Sequence, residues 1–579
     1  MMLLLLLALH VSAVFAFPLE RDLSSDPPTV TLDSATVTGI RQGNLTKFLG
    51  IPFAQPPTGS LRFQLPQPIT SYNGSINATD YGPICPQQAA PFPVSIRDFF
   101  NFSLPFHFGD FFPNRTNSTV PTPESEDCLT INVIKPTNVS ADAKLPVLVW
   151  IFGGGFQRGS AFGYDRTATR IVNRSMEIGE PVIYAAMNYR VSAWGFLASK
   201  EVQEVGAGNA GLVDQRVALE WVQKYIANFG GDPSKVTIWG QSAGAISVSL
   251  QMLAYGGNSS DLFRGAFMQS GAPIPVGNIT GGQMYYDSLV NQTNCSDSNN
   301  TFTCLQQVPL DTLQAAVNNT PNYFSYQALA LAWSPRADGV FLQDNPQRLV
   351  QQGKVTNVPF VSGNVDDEGT LFSLSSLNVT TDDQFETYIS TTFVPGADES
   401  TIEPLWSYYP PEEPYGSPFN TSDRNAVTPQ YKRIAAFQGD VTFQAPRRFF
   451  MQQLLANSTS SGETQKMWGY LSKKLKFTPI IGSFHISDLD IGLLDDYIIY
   501  FTHNLDPNLP DATDSTSNIT LPFGLGSLLP GKPRWPEYTA DAPRLYTFPI
   551  LGDRPDISND TYREAPMQYL MNLSLAHPL

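Results

Sequence analysis

Histidine, cysteine and basic residues are all scarce in this chain of 579 residues. It contains five histidines and four cysteines, and its 35 Lys and Arg stand against 52 Asp and Glu, for a net charge of −17. Nucleic acid is therefore not expected as a partner, because phosphate binding requires a basic surface. No cysteine has the spacing to a histidine that a zinc site needs, so the sequence predicts no metal and no cofactor.

Long apolar runs are also lacking after the first residues. Residues 1–16 read MMLLLLLALHVSAVFA, an apolar stretch that is too short to span a bilayer and ends in the cleavage pattern Val14-Phe15-Ala16. We predict a signal peptide over 1–16 and a secreted, extracellular protein without a transmembrane segment. The N-x-S/T sequons are typical of a glycoprotein and include Asn44, Asn77, Asn117, Asn291, Asn457 and Asn572.

The four cysteines would meet an oxidising compartment in such a protein. Four cysteines allow three pairings, and pairing of sequence neighbours would join Cys85 to Cys128 and Cys295 to Cys304. The segment 85–128 has a poor helical or strand period, and it is rich in phenylalanine. Its rings are Phe92, Phe99, Phe100, Phe102, Phe106, Phe108, Phe111 and Phe112.

Short apolar runs alternate with helical patterns through the rest of the chain. Continuous runs predict buried strands at 145–151, 181–187, 263–268 and 358–362. Residues 214–227 carry apolar side chains at helical spacing. The alternation predicts an α/β fold with a largely parallel sheet and helices on both faces. Because no repeat, long linker or charge block interrupts it, we expect one large domain with loop insertions over 17–579.

The segment 235–250 carries the strongest catalytic pattern. Its β-branched run Val236-Thr237-Ile238 predicts a strand, and the apolar residues after Gly244 predict a helix. Between them, Gly240-Gln241-Ser242-Ala243-Gly244 is a G-x-S-x-G pattern, which is typical of a sharp turn that presents a serine at a helix N-terminus. The glycines let neighbouring segments approach without a Cβ clash. We therefore predict that Ser242 is a nucleophile.

A serine nucleophile needs a base, and the scarcity of histidine narrows the choice. His10 falls in the predicted signal peptide, His577 lies two residues from the end, and His107 lies in the phenylalanine-rich segment. His485 and His503 remain, and both follow the serine in the expected chain order. His485 is favoured because it follows a predicted strand end and loop at 479–482.

The orienting acid and the oxyanion hole also follow predicted strands. Asp366, Asp367 and Glu368 come just after 358–363, and their chemistry alone leaves the choice among them open. Gly153-Gly154-Gly155 follows 145–151, and glycines in a row can turn their amides toward one point. We expect these amides to form the oxyanion hole.

Two longer stretches resemble signatures of the type-B carboxylesterase/lipase family, which includes cholinesterases and fungal extracellular lipases. Residues 229–244, FGGDPSKVTIWGQSAG, resemble its nucleophile signature, and 126–136, EDCLTINVIKP, resemble its cysteine-containing signature. Shorter matches at 188–190, 208–216, 367–369 and 484–485 extend the resemblance over nearly the whole chain. The chain is most similar in character to the fungal secreted esterases and lipases of that family.

This resemblance implies an α/β-hydrolase domain that cleaves carboxylic esters through an acyl-enzyme. It implies that Ser242 is the nucleophile, Glu368 the acid and His485 the base. The oxyanion donors that it implies are the amides of Gly154, Gly155 and Ala243, and its disulfides are Cys85–Cys128 and Cys295–Cys304.

The chain departs from the family at two places that bear on substrate. Gln241 stands where the family usually has glutamate, and the 85–128 segment has no tryptophan of the kind with which cholinesterases bind quaternary ammonium. We therefore expect lipid or other apolar acyl esters rather than choline esters. In lipases of the family this loop is a lid, so we predict a lid that contacts a lipid interface, with extension of the core as the alternative for its rings. The competing function is a non-catalytic adhesion or binding protein on the same fold, whose members typically lose part of the triad.

Overall fold

The computed structural model describes residues 26–93, 123–461, 464–512 and 532–579. The predicted signal peptide over 1–16 lies outside these residues, as do Phe99 to Phe112 of the predicted lid. No helix in the described ranges is both long and apolar enough to cross a membrane.

An eleven-stranded sheet forms the centre of the molecule, in the order β14-β13-β12-β11-β10-β9-β7-β8-β6-β4-β3, beside a small sheet β1-β2-β5. The strands are β1 Thr29–Leu32, β2 Ser34–Thr38, β3 Ile40–Gln42, β4 Leu45–Pro52, β5 Asn73–Asn77, β6 Thr130–Pro136, β7 Leu145–Ile151, β8 Ile183–Met187, β9 Gly231–Gln241, β10 Gly265–Gln269, β11 Phe360–Val365, β12 Met467–Ser472, β13 Arg544–Phe548 and β14 Asp556–Asn559. In this spatial order, each strand from β13 to β8 is parallel to its neighbour, and β7 is one of these strands. The remaining pairs, β14 with β13 at one end and β8 with β6, β6 with β4 and β4 with β3 at the other, are antiparallel.

Helices cover both faces of this sheet, which confirms the predicted α/β fold. They are α1 Asp165–Glu177, α2 Ser192–Phe196, α3 Lys200–Glu204, α4 Ala210–Tyr225, α5 Ala243–Gly257, α6 Gln283–Gln292, α7 Thr301–Gln307, α8 Leu310–Asn318, α9 Pro346–Gln351, α10 Thr370–Ser373, α11 Asp382–Thr392, α12 Glu399–Ile402, α13 Pro404–Tyr408, α14 Tyr431–Gly439, α15 Ala445–Ser461, α16 Ser487–Asp490, α17 Asp495–Asn504 and α18 Glu564–Ala576. A single π-helical turn, Asp440–Gln444, joins α14 to α15. Helices α4 and α5 pack on each other and on β9, and α1 and α17 also pack together.

The central strands are buried along their length, as continuous apolar runs predict. Every residue of β8, β10 and β11 is buried, and so is every residue of β7 after its first. The predicted limits are displaced by one to three residues at β10 and β11, which begin at Gly265 and Phe360. Both strands continue past the predicted run because Gln269 of β10 and Gly363, Asn364 and Val365 of β11 still pair with neighbouring strands.

Two disulfides hold loops near the sheet. Cys85 is bonded to Cys128, with 5.0 Å between the Cα atoms, and Cys295 to Cys304, with 5.7 Å. Both separations lie in the ordinary range for a disulfide. These are the pairings of sequence neighbours.

Candidate active site

Ser242 occupies the turn between β9 and α5 in a backbone conformation that L-residues rarely adopt. Its φ is 58° and its ψ is −129°. The conformation persists because the surroundings leave little alternative. A Cβ on Gly244 would overlap the carbonyl oxygen of Ile151, and a Cβ on Gly240 would overlap the carbonyl of Gly244. The two glycines of the G-x-S-x-G pattern are thus required by close approach of β7 and of the helix start.

Two backbone hydrogen bonds fix this turn at the carboxyl end of the sheet. The Ser242 amide donates to the Gln269 carbonyl on β10 at 2.9 Å, and the Ser242 carbonyl accepts from the Ile246 amide at 2.9 Å. The side chain of Ser242 is partly exposed and lines a large cavity. The turn therefore presents the hydroxyl to whatever fills that cavity.

His485 reaches the same cavity from the loop after β12. Its Nδ1 lies 2.5 Å from Oε2 of Glu368. The rings of Phe443 and Phe372 pack on the imidazole, with centroid separations of 4.6 and 5.3 Å. A carboxylate on Nδ1 places the ring proton there, so Nε2 carries the lone pair that a general base needs.

Glu368 is buried, and the carboxylate oxygen that does not contact His485 is also hydrogen-bonded. Oε1 accepts from the Val365 amide at 2.9 Å and from Nδ2 of Asn364 at 3.2 Å. The residue is 1% exposed. Because Oε1 is held by the strand end, Oε2 has a fixed position from which to bind His485.

The two neighbouring acids are directed elsewhere. Asp367 accepts from Nζ of Lys476 at 2.7 Å and from the Ser483 amide at 2.8 Å, and Asp366 lies 2.6 Å from the same Nζ. Burial raises the pKa of Asp367 to about 6. Burial acts in the same direction on Asp366, but Lys476, Lys473 and Arg563 together outweigh it and lower the pKa of that carboxyl. Of the three adjacent acids, Glu368 is the one that the structure brings to His485.

The glycine triplet packs against the nucleophile turn. A Cβ on Gly153 would lie 2.5 Å from the Gln241 carbonyl oxygen, so the loop crosses β9 at close range. Gly154 and Gly155 have φ values of +117° and +62°, which favour glycine. Within the described part of the chain, the amides of Gly154, Gly155 and Ala243 form no hydrogen bond outside regular secondary structure, and all three residues line the cavity.

The other histidines are not at this site. His503 lies near the end of α17, where its Nδ1 is 3.1 Å from Glu180 and burial lowers its pKa. His577 follows α18, and His10 and His107 lie outside the described residues. Among the histidines that the structure describes, His485 is the one that lines the cavity together with Ser242.

The cavity itself has a volume of about 2220 Å³. This is larger than the roughly 300–1,000 Å³ of common small-molecule sites. Its apolar lining next to His485 includes Phe324, Leu329, Phe372 and Phe443. The packing of Phe372 and Phe443 on the imidazole was missed by the sequence analysis, because neither ring belongs to a motif.

One contact at the site was also not anticipated. Nε2 of Gln241 lies 3.2 Å from Nε2 of His485. No hydrogen bond of the Ser242 hydroxyl is found among the described residues. In this arrangement Nε2 of His485 contacts the side-chain amide of Gln241 and not the hydroxyl of Ser242.

Comparison with known proteins points to one family. The model of the carboxylesterase family matches residues 26–491. "Lipase 4" of Diutina rugosa is 42% identical over 500 residues, which are 83% of this chain and 87% of that protein. "Secreted lipase 1" of Botryotinia fuckeliana is 38% identical over 97% of both chains. Among solved structures, EstA of Aspergillus niger superposes with a TM-score of 0.75 at 25% identity, covering 96% of this chain and 99% of that one.

Proposed function

The chain belongs to the carboxylesterase family and is a carboxylic ester hydrolase, and we propose that it is a secreted enzyme that cleaves apolar acyl esters through an acyl-enzyme. The observation that carries this proposal is the contact of 2.5 Å between buried Glu368 and His485, whose ring lines the same cavity as Ser242. Nucleophile, base and orienting acid are the three groups that such chemistry requires.

In the first half of the proposed reaction, Oγ of Ser242 attacks the ester carbonyl carbon. Its proton passes to Nε2 of His485, and the negative charge of Glu368 stabilises the resulting imidazolium. The amides of Gly154, Gly155 and Ala243 donate to the oxyanion of the tetrahedral intermediate. Collapse of that intermediate breaks the bond to the alcohol oxygen, which leaves with the proton from His485.

In the second half, water takes the place of the alcohol. His485 removes a proton from water, whose oxygen attacks the acyl carbon, and a second tetrahedral intermediate forms. Its collapse releases the carboxylic acid and returns the proton to Ser242. The pocket for the acyl chain would be the apolar part of the cavity beside Phe324 and Phe443.

Secretion is supported by two kinds of feature. The first residues have the pattern of a signal peptide, and the two disulfides are typical of an oxidising compartment. Relatives that align over most of the chain are named secreted lipases, among them a secreted triacylglycerol lipase of Gibberella zeae at 37% identity.

Contact with a lipid surface is part of the same proposal. Two residues that line the cavity are unusually exposed for their size, Met284 at 67% and Tyr326 at 44%. Apolar side chains around a cavity mouth would lower their free energy by entering a lipid interface. The rate on a short triglyceride should then rise where the substrate passes its solubility limit. A smooth saturating curve through that limit would contradict lipid contact.

The catalytic assignment is tested by labelling and substitution. We expect an organophosphonate to modify Ser242 stoichiometrically, and Ser242→Ala and His485→Ala each to remove most turnover while the protein remains folded. Ser249→Ala and His503→Ala serve as matched controls, since the first lies on α5 away from the turn and the second is far from the cavity. Wild-type turnover in Ser242→Ala would refute the assignment.

The preference for apolar acyl groups is tested with nitrophenyl esters of increasing acyl length. These esters should show a preference for longer chains over acetate.

A further inference from the structure

The small sheet β1-β2-β5 ends in an edge strand that pairs on one side only. β5, Asn73–Asn77, is parallel to β2, and four of its five residues are exposed. Beyond this pairing, no hydrogen bond of its backbone to another backbone group is found among the described residues. An edge of this kind presents free N–H and C=O groups, on which another extended chain can pair.

β5 has neither of two common devices that block an edge. Its sequence, NGSIN, contains no charged residue and no proline. The two strands behind it, TVTL in β1 and SATVT in β2, are also uncharged and rich in β-branched residues. Charged side chains and proline are the means by which natural edge strands avoid pairing with other chains, so this edge needs another form of protection.

Two N-x-S/T sequons lie on this one strand. They are Asn73-Gly74-Ser75 and Asn77-Ala78-Thr79, and both asparagines are exposed. Asn73 and Asn77 lie opposite Ser34 and Thr38 of β2, which alternate with the buried Ala35 and Val37. Since residues that face each other across two strands point to the same side, both asparagines are on the solvent face of the sheet.

Two of the other three sheet edges also carry a sequon. Asn559, the exposed last residue of β14, begins Asn559-Asp560-Thr561, and exposed Asn44 begins a sequon in the turn between β3 and β4. No asparagine occurs in or beside β1. That edge lies against the helical turn Ile226–Phe229, where Nδ2 of Asn228 donates to the Thr31 carbonyl at 2.8 Å. The edge without a sequon is therefore the one that the protein itself covers.

We propose that Asn73 and Asn77 are N-glycosylation sites and that the glycans prevent the edge of β5 from pairing with a second chain. The inference rests on the proposed secretion, because the donor is a polyprenyl-diphosphate-linked oligosaccharide of the secretory pathway. Nδ2 of the asparagine forms a bond to C1 of the first sugar and loses one proton. The bond from C1 to the diphosphate oxygen breaks, and polyprenyl diphosphate leaves. A bulky, hydrated glycan then occupies the space that an added strand would need.

The first test is glycopeptide mapping of the full chain secreted by a eukaryotic host. We expect a glycan at Asn73, at Asn77 or at both in most molecules. The proposal is overturned if both asparagines are unmodified in most molecules of a protein that carries glycans elsewhere.

The second test removes both sequons without a change of charge, in Asn73→Gln/Asn77→Gln. Its melting temperature and its kcat on a soluble ester should equal those of the wild type, because both side chains are exposed and neither lines the catalytic cavity. Well below the melting temperature, we expect its light scattering to rise severalfold faster than that of the wild type. A rise at the wild-type rate would overturn the role in edge protection.

Two further variants separate edge protection from a general effect of glycans on solubility. Asn291→Gln/Asn572→Gln removes two exposed sequons from helices α6 and α18 and should scatter light at the wild-type rate. Asn73→Lys/Asn77→Lys also lacks the glycans but places a charge at each position, so it should again match the wild type. If the helix variant aggregated as fast as Asn73→Gln/Asn77→Gln, or if the lysine variant did, the edge would not be the surface that the glycans protect.

These outcomes are distinct from failure of the proposed function. A chain that is retained in the cell and carries no glycan would contradict secretion and this inference together, while kcat on the same sample tests ester hydrolysis by itself. A secreted, active enzyme without a glycan at either asparagine would leave the proposed function in place and overturn the inference.

Discussion

Replacement of Glu368 by glutamine should disable the enzyme without unfolding it. In the folded protein Oε1 of Glu368 accepts from the Val365 amide and from Nδ2 of Asn364, and Oε2 binds Nδ1 of His485. A glutamine can keep its single oxygen on the two donors, and its NH2 group then points at His485. Nδ1 must become the acceptor, and the ring proton moves to Nε2.

The size of the effect follows from that change of tautomer. With a proton on Nε2, His485 cannot accept the proton of Ser242, and the charge that stabilised the imidazolium is also gone. Removal of the corresponding charge from a serine protease triad costs about 10⁴ in kcat. We expect a loss of about 10³–10⁴, equivalent to roughly 4–5.5 kcal/mol in the activation barrier.

Asp367→Asn is the matched control for Glu368→Gln. Asp367 is equally buried and lies one residue away, but it binds Lys476 and the amides of Ser483 and Phe419. An asparagine has one acceptor oxygen for these donors, so we expect the free energy of unfolding to fall by about 1–3 kcal/mol. Its kcat should remain within about fivefold of the wild type, since the contact between Glu368 and His485 is unchanged.

The assay is kcat on a soluble ester, corrected for active sites by phosphonate titration, together with thermal unfolding of each variant. Glu368→Gln combined with His485→Ala should be no slower than His485→Ala alone, because members of a triad act as a unit. If Glu368→Gln kept more than about a tenth of wild-type kcat, or if Asp367→Asn reduced kcat more than it did, the reasoning would be refuted.

Two further predictions concern folding. Gly244→Ala should lower the melting temperature strongly and abolish phosphonate labelling of Ser242, because its Cβ would overlap the Ile151 carbonyl; a stable, labelled variant would contradict the close packing at the turn. Burial raises the pKa of Asp367 from 3.8 to about 6, so the folded state keeps a proton that the unfolded chain releases. Its contribution to the free energy of unfolding is complete below about pH 4 and is lost as pH rises through 6. Calorimetry should therefore show a higher melting temperature at pH 5 than at pH 7.5, and Asp367→Asn should reduce the difference.

Much of the fold could be predicted because its signals are local. A strand buried on both faces requires a continuous apolar run, and β7 and β8 show one of about the right length. The pattern of the nucleophile turn is local too, since it lies within five residues of sequence, although Gly244 is required by the approach of the distant Ile151. The limits of β10 and β11 were less predictable, because pairing with neighbouring strands continues where the apolar run has already stopped.

The choice among the three adjacent acids could not be made from their own chemistry. It depends on Lys476, which lies about a hundred residues further along the chain and engages Asp366 and Asp367. Once that lysine is in place, Glu368 is the carboxylate left to face His485. The resemblance to a known family pointed to the same residue, but the physical reason for it is visible only in three dimensions.

The aromatic support of His485 shows the same limit more strongly. Phe443 lies in the π-helical turn Asp440–Gln444, and Asp440 is held there by Arg563 at 2.7 Å, from the start of α18. The spacing of apolar residues around Phe443 does not predict the π-helical turn. The ion pair that accompanies the turn joins Asp440 to Arg563, more than a hundred residues further along the chain.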